Sequence, residues 1–394
     1  MKTIYLDNAA TTQVRKEVLS VMKPYFSEIY GNPSEPHSMG RKAWIRMEKA
    51  REEIADFLHS KPDEIVFTSS ATESINLFLK GLIESIKVQE KSTRPHIITS
   101  SVEHKAVINT CLYLSNKKLA EVSFLPVNRD GQISLLDIER AITKETVIIS
   151  IMYVNNEVGT IQPIDKVGRL VKKVNKKRSV PIYFHTDATQ AIGHLDCNVN
   201  RLGVDSLSFS GHKIYAPKGI GALYVRSNTP LVKQLYGGFQ ENGLRAGTEN
   251  VAYIIGLAKA IGMITKTSGS DTNKISKLKK RLIKNVSKVV GVKLLGNPKT
   301  SAPHIISFLV KGVEGESLVL YLSERGIYAS SGSACSSSTL EPSHVLTAMG
   351  IIREDVHGSI RFSLGRNNSD KDIDYLSCVF PEVVEDLRNM APKK

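Results

Sequence analysis

Short apolar runs alternate with amphipathic stretches over the first two thirds of the chain. Residues 64–68 (EIVFT) read as a strand, and helical spacing follows from about residue 71 to 80. Residues 96–100 (HIITS) read as a second strand, again with a helix behind it. Further strands are expected at 146–154 (TVIISIMYV), 182–186 (IYFHT) and 206–209; 221–225 (GALYV) follows so soon that it should run antiparallel. Strand then helix, repeated, implies a mostly parallel sheet covered on both faces. Such sheets bind ligands at the carboxyl ends of their strands, so the residues just after each strand are the informative ones.

The pattern changes after about residue 265. Ile275, Leu278, Leu282, Val286 and Val289 recur at helical spacing, which leaves Lys277, Lys279, Lys280, Arg281, Lys284 and Lys288 for the wet face of an amphipathic helix. A strand at 304–310 (HIISFLV), a helix near 316–325 and a Ser- and Gly-rich loop at 329–338 follow. This segment reads as a smaller α+β domain. Thr, Ser, Gly and Asp cluster at 264–270, where a hinge is expected. No internal repeat or low-complexity tract stands out.

Composition narrows the function. A chain of 394 residues with 41% hydrophobic and 23% charged positions is ordinary globular sequence, long enough for a large domain and a small one. The net charge of +14 comes from scattered Lys and Arg with local clusters at 172–178 and 277–288. A solvated face accounts for them, and a docking face for an acidic protein or RNA is the alternative. No helix-turn-helix, zinc-finger or RRM signature accompanies them, so direct nucleic-acid binding is not expected. Cys111, Cys197, Cys335 and Cys378 lie far apart with no CxxC pair. That argues against a disulfide framework or a metal site and for a reducing compartment. The longest apolar stretch, near 251–264, is interrupted by Lys259, so no membrane span is expected. The first residues show no signal pattern, and a cytoplasmic location follows as the expectation.

The chemistry-bearing positions sit where the strands end. Lys213 follows Ser208-Phe209-Ser210-Gly211-His212. A lysine desolvated at a strand end can be neutral and condense with an aldehyde; in isolation it could equally be a turn lysine. Asp187 closes IYFHT, where it could meet a pyridinium nitrogen or cap a helix. Thr68-Ser69-Ser70-Ala71-Thr72-Glu73 joins a strand to a helix, and its free N–H groups suit a phosphate. The same residues also resemble a capping box. Glu103-His104-Lys105 follows HIITS; a histidine there could stack on a planar ring and relay protons, or be structural. Asn155-Asn156-Glu157 holds the corresponding place after 146–154. Cys335 lies in a small polar loop (SSGSACSSST) that suits a reactive thiolate better than a packed structural thiol. Arg361, alternating with apolar residues in SIRFSLGR, should point inward and needs an anion.

Together these motifs resemble the cysteine desulfurases, the class V branch of the fold type I enzymes that depend on pyridoxal 5′-phosphate (PLP). The resemblance runs nearly end to end, through YLDNAATT, YGNPSEPHS, TSSATES, VEHKAV, VNNEVGTIQP, HTDATQ, SFSGHKIYAPKGIGALYV, ENGLRAGTEN, VEGESL, SSGSACSS, LEPSHVL and SIRFSLGR. It implies an α/β fold: a large domain (16–264) with a mostly parallel, mixed seven-stranded sheet covered by helices, and a smaller α+β domain (1–15 and 265–394). It further implies that Lys213 holds PLP covalently and moves protons, and that His104 stacks on the ring and acts in acid–base steps. Asp187 should pair with the ring nitrogen and Gln190 with the ring oxygen. Ala71, Thr72, Ser210 and His212 should border the phosphate, with Thr248 reaching it across a homodimer interface. Asn156, beside the cofactor, and Arg361 should hold the substrate carboxylate. Cys335 should take sulfur from L-cysteine as a persulfide, leaving alanine, and hand it to an acceptor such as an iron–sulfur scaffold protein. No resident metal is implied. Two positions depart from the family: Ser70 stands where Gly is usual and Ala246 where Ser is frequent. The nearest rivals are a selenocysteine lyase or an aminotransferase of the same fold, and more distantly a non-catalytic sulfur carrier.

Overall fold

The computed structural model describes residues 3–89, 94–332 and 342–390. Its strands in chain order are β1 (Ile4–Tyr5), β2 (Ile65–Thr68), β3 (His96–Ser100), β4 (Glu121–Leu125), β5 (Thr146–Ser150), β6 (Tyr183–Asp187), β7 (Ser206–Ser210), β8 (Gly221–Val225), β9 (Val292–Leu295), β10 (Ile305–Val310), β11 (Ile327–Tyr328), β12 (Ser330–Ser331) and β13 (Ser359–Ser363). Seven of them form one sheet in the order β2-β8-β7-β6-β5-β3-β4. β8 alone runs against its neighbours, and the β3–β4, β3–β5, β5–β6 and β6–β7 pairs are parallel. This is the mixed, mostly parallel sheet expected. Its central strands are buried end to end, as two-sided coverage by helices requires.

Two buried apolar clusters cover the faces of this sheet. One gathers Phe184, Phe209, Tyr224 and Ile261, the other Phe78, Ile97, Ile148 and Leu223. A third cluster belongs to a four-stranded sheet, β12-β13-β10-β9, and takes Ile4 and Leu6 from the start of the chain.

Three local readings need correction. The 264–270 cluster is no linker: one helix runs unbroken over Val251–Val286. Apolar stripes anchor it at both ends, Leu257 and Ile261 in the sheet's cluster, Leu278 and Leu282 in the third. Between them Thr265 and Thr267 donate back to Ile261 O and Met263 O, so the polar residues solvate the helix instead of ending it. Lys279, assigned to the wet face, is buried; its Nζ donates to Ser301 Oγ (2.7 Å), Ala302 O (2.7 Å) and Ile305 O (3.0 Å). It falls four residues after Ile275, on the packed stripe, and burial pushes its amine down to about 8. β5 ends at Ser150, four residues short of the expected limit, because the chain turns to bring Met152 and Val154 to a cavity wall. The strand Glu121–Leu125 was not anticipated; it is the sheet's edge and only half buried, so its apolar signal is weak.

Candidate active site

A cavity of about 330 Å³ opens at the carboxyl ends of the parallel strands. A larger hollow of about 1080 Å³ lies between the helices Ser38–Leu58 and Val251–Val286, and none of the nominated residues reaches it. The smaller cavity is the chemical one, because Lys213, Asp187, Gln190, His104, Ala71, Thr72, Ser210, His212, Asn156 and Arg361 all line it.

Its floor is built by strand ends. β7 stops at Ser210 and a short 3₁₀ turn, Gly211–Lys213, sets Lys213 at the rim. Lys213 Nζ donates to Ala9 O and Ala10 O, both at 2.6 Å, so the N-terminal segment holds the amine. Asp187 ends β6, is 5% exposed, and accepts from Thr189 N at 2.9 Å; among the described residues it has no ion-pair partner. His104 caps the helix Lys105–Asn116 by accepting Ala106 N–H at Nδ1 (3.1 Å). A neutral ring so engaged carries its proton on Nε2. Burial lowers its pKa, with Asp187 opposing and the Lys213 charge adding. Below the floor His185 is enclosed between Ser150 Oγ and Ser208 Oγ, and burial pushes it down to about 3, so it stays neutral.

At one end the helix Ala71–Gln89 points its N-terminus at the cavity. The capping reading of this segment holds. Ser70 Oγ accepts from Glu73 N (3.3 Å) and Glu73 accepts from Ser69 N (2.7 Å), a reciprocal cap. Ala71, Thr72, Ser210 and His212 still face the space. Burial, then the Lys213 and Lys218 charges, push His212 down to about 4. Ser70 needs no glycine here, since its φ is not positive. The close approach falls to Gly221, where a Cβ would meet the Ser70 backbone at 2.7 Å.

The opposite wall joins distant segments. Arg361, 6% exposed on β13, donates from Nη2 to Asp7 Oδ1 (2.8 Å) and from Nη1 to Asn156 O (2.7 Å); its Nε has no partner among the described residues. Asn155, by contrast, is consumed by the turn, bonding Val102 O, Glu157 N and Val158 N.

Asp7, Glu103, Glu157 and His304 escaped the sequence reading. Arg361's need for an anion was the one available signal for Asp7. Glu103 is fully buried and accepts from Ser100 Oγ (2.6 Å) and Met152 N (2.9 Å). Burial pushes it up to about 8, with Asp187's charge contributing. Glu157 accepts from Ser343 Oγ, and burial pushes it up to about 7 against the pull of Arg361 and Lys105. Thr248 does not join the cavity; it lines a separate hollow of about 250 Å³ with Arg245 and Glu249. Cys335 lies outside the described residues. Cys111 and Cys197 are buried, with thiols pushed up to about 12.

Known proteins resemble this chain in sequence and fold. The family model described as "Aminotransferase class-V" matches residues 4–376. The chain is 45% identical to the protein named cysteine desulfurase IscS of Dictyoglomus turgidum, covering 100% of this chain and 97% of that one. It is 46% identical to the one of the same name from Methanosarcina thermophila, covering 99% and 94%. A solved structure titled "NIFS-LIKE PROTEIN" superposes with a TM-score of 0.90 at 39% identity, covering 98% of this chain and 100% of that one. Another, titled "SspA in complex with cysteine", does so with a TM-score of 0.81 at 38% identity, covering 93% and 100%.

Proposed function

This chain belongs to the class-V aminotransferase family and is a PLP-dependent cysteine desulfurase, and from that premise we propose how its residues divide the work. The single observation that carries the proposal is the convergence of Lys213, Asp187, His104 and Arg361 on one cavity. The donor set fits PLP: a buried carboxylate with no ion-pair partner among the described residues, a helix N-terminus and a lysine amine border the same space.

When bound, PLP supplies the electron sink that makes the Cα–H and then the C–S bond of cysteine breakable. Asp187 stabilises the protonated ring nitrogen, and Gln190 donates to the ring oxygen. The N–H groups at Ala71 and Thr72, with Ser210 and His212, bind the phosphate, helped by Thr248 of a second copy in a homodimer. Arg361 grips the substrate carboxylate, with Asn156 beside it. Lys213 Nζ would hold the cofactor and, with substrate bound, would take the Cα proton and return it within the site. His104, with its proton on Nε2, would stack on a bound ring and serve the proton steps at the sulfur side. The thiolate of Cys335 attacks the substrate sulfur; the C–S bond breaks, the carbon fragment is protonated to alanine, and Cys335 is left as a persulfide.

We further propose that the persulfide is delivered to an iron–sulfur scaffold or a comparable acceptor in the cytoplasm, and that residues 16–264 act as the cofactor domain against 1–15 with 265–394. The net charge of +14 favours an acidic acceptor. The deciding experiment supplies L-cysteine and a reductant and quantifies alanine and sulfide, beside Cys335→Ser. Equal amounts from the wild type and none from the variant are expected. Undiminished alanine and sulfide from Cys335→Ser would remove Cys335 from the reaction.

A further inference from the structure

Gln190 is held by a residue outside its own motif. Its Nε2 donates to Ala9 O at 2.9 Å, and its Oε1 faces His304 Nε2 at 3.3 Å. His304 is 3% exposed, just ahead of β10. An amide oxygen only accepts, so this contact is a hydrogen bond when His304 carries its proton on Nε2. Nδ1 is then a bare lone pair, and it is buried with no partner among the described residues. Charging the ring would bury a second N–H without an acceptor. Burial, His194, Lys279 and Arg361 all act against that and hold His304 well below the usual histidine range.

The ring cannot readily turn away. It stacks on His194 with centroids 3.7 Å apart and planes 10° from parallel. Its backbone is pinned as well: Leu364 N donates to His304 O (2.8 Å), Ala302 N to Gly159 O (2.8 Å), and buried Lys279 Nζ to Ala302 O and Ile305 O. A flipped Gln190 amide would set N–H against N–H at His304 and oxygen against oxygen at Ala9. With Oε1 and one N–H committed, the second N–H is the group left for a ligand in the cavity that Gln190 lines.

We propose that His304 is a positioning residue for the desulfuration: it fixes the Gln190 carboxamide so that an N–H, never the carbonyl, is offered to the ring oxygen of PLP. The proposal rests on Gln190 being the partner of that oxygen.

The test follows the pH titration of the bound-cofactor absorbance in the purified holoenzyme, for wild type, Gln190→Leu, His304→Phe and His304→Gln. Gln190→Leu is expected to move the midpoint, and His304→Phe, which keeps a stacking ring but no donor, to move it the same way by less. His304→Gln, which keeps an N–H, should stay near the wild type. In His304→Phe kcat should fall about two- to tenfold, the worth of one neutral hydrogen bond, with KM for cysteine nearly unchanged. A wild-type midpoint in His304→Phe beside a shifted Gln190→Leu overturns the role of His304 and leaves that of Gln190. A wild-type midpoint in Gln190→Leu overturns both. Should His304→Phe not fold, ¹⁵N shifts of histidine-labelled wild type decide: a neutral Nε2–H tautomer at His304 from about pH 6 to 9 is expected, and an Nδ1–H tautomer or a charged ring overturns the proposal.

Discussion

The floor and the wall of the cavity solve opposite problems. On the floor, Asp187 and His104 each follow a strand of one sheet and keep part of their bonding capacity open: Asp187 has one backbone N–H, and His104 has Nε2 free of its cap. On the wall, Arg361 is already engaged by Asp7 and Asn156 O, and among the described residues its Nε has no partner. A buried guanidinium without an anion would be costly, and Asp7 removes that cost before any substrate carboxylate arrives. The floor thus keeps its acid free of a cation among the described residues, while the wall pairs its cation with a carboxylate of the same chain. Burial raises the acids beneath both: Glu103 is pushed up to about 8, with Asp187's charge adding, and Glu157 up to about 7, with the Ser343 hydrogen bond and then the Arg361 and Lys105 charges opposing.

The severest way to break this comparison is Lys213→Ala. It removes the lysine proposed to hold the cofactor and carry the proton, so alanine formation should fall by at least about 1000-fold. The absorbance of covalently held cofactor should vanish with it; retained turnover would show that the floor does not carry the chemistry. Arg361→Lys acts on the wall alone. Lysine keeps the charge but cannot span Asp7, Asn156 O and a substrate carboxylate. KM for cysteine should rise about 10- to 100-fold while the cofactor spectrum stays as it was. An unchanged KM would remove Arg361 from substrate binding.

Glu103→Gln gives the smallest effect and sharpens the contrast. The folded-state carboxyl sits at about 8 against an ordinary 4.5. Between those values the folded state holds more protons than the unfolded one, so this group makes stability fall as pH rises, by up to about 1.4 kcal/mol per unit, and adds no slope above about pH 8. Urea unfolding at pH 5 and pH 8 should therefore differ less in the variant than in the wild type. An equal difference would mean that Glu103 does not titrate across that window.

Much of the floor was legible because each of its groups belongs to a short strand-and-turn unit. HIITS then EHK, IYFHT then D, and SLSFS then GHK carry both the strand and the group in one segment, and β7 leads into the Lys213 turn as expected. The wall was half legible. Arg361 showed by its place between apolar residues that an anion was needed, but Asp7 lies 354 positions away and nothing local pairs them. Lys279 misled because a helical stripe of Ile and Leu does not say whether a lysine within it meets solvent or the Ser301 hydroxyl and two buried carbonyls. The polar 264–270 tract misled because propensity is a weak force beside the apolar anchoring at both ends of its helix.

By itself, then, the order of residues determined the alternation of strand and helix, the parallel sheet and the groups at its carboxyl ends, since those follow from periodicities of two and 3.6 within short windows. Only the tertiary structure decided which charges are buried, which acid meets Arg361, and that His304 orients Gln190. Burial and pairing depend on segments brought together across the whole chain, and desolvation, which sets the protonation of Glu103, Glu157 and His304, has no local signature.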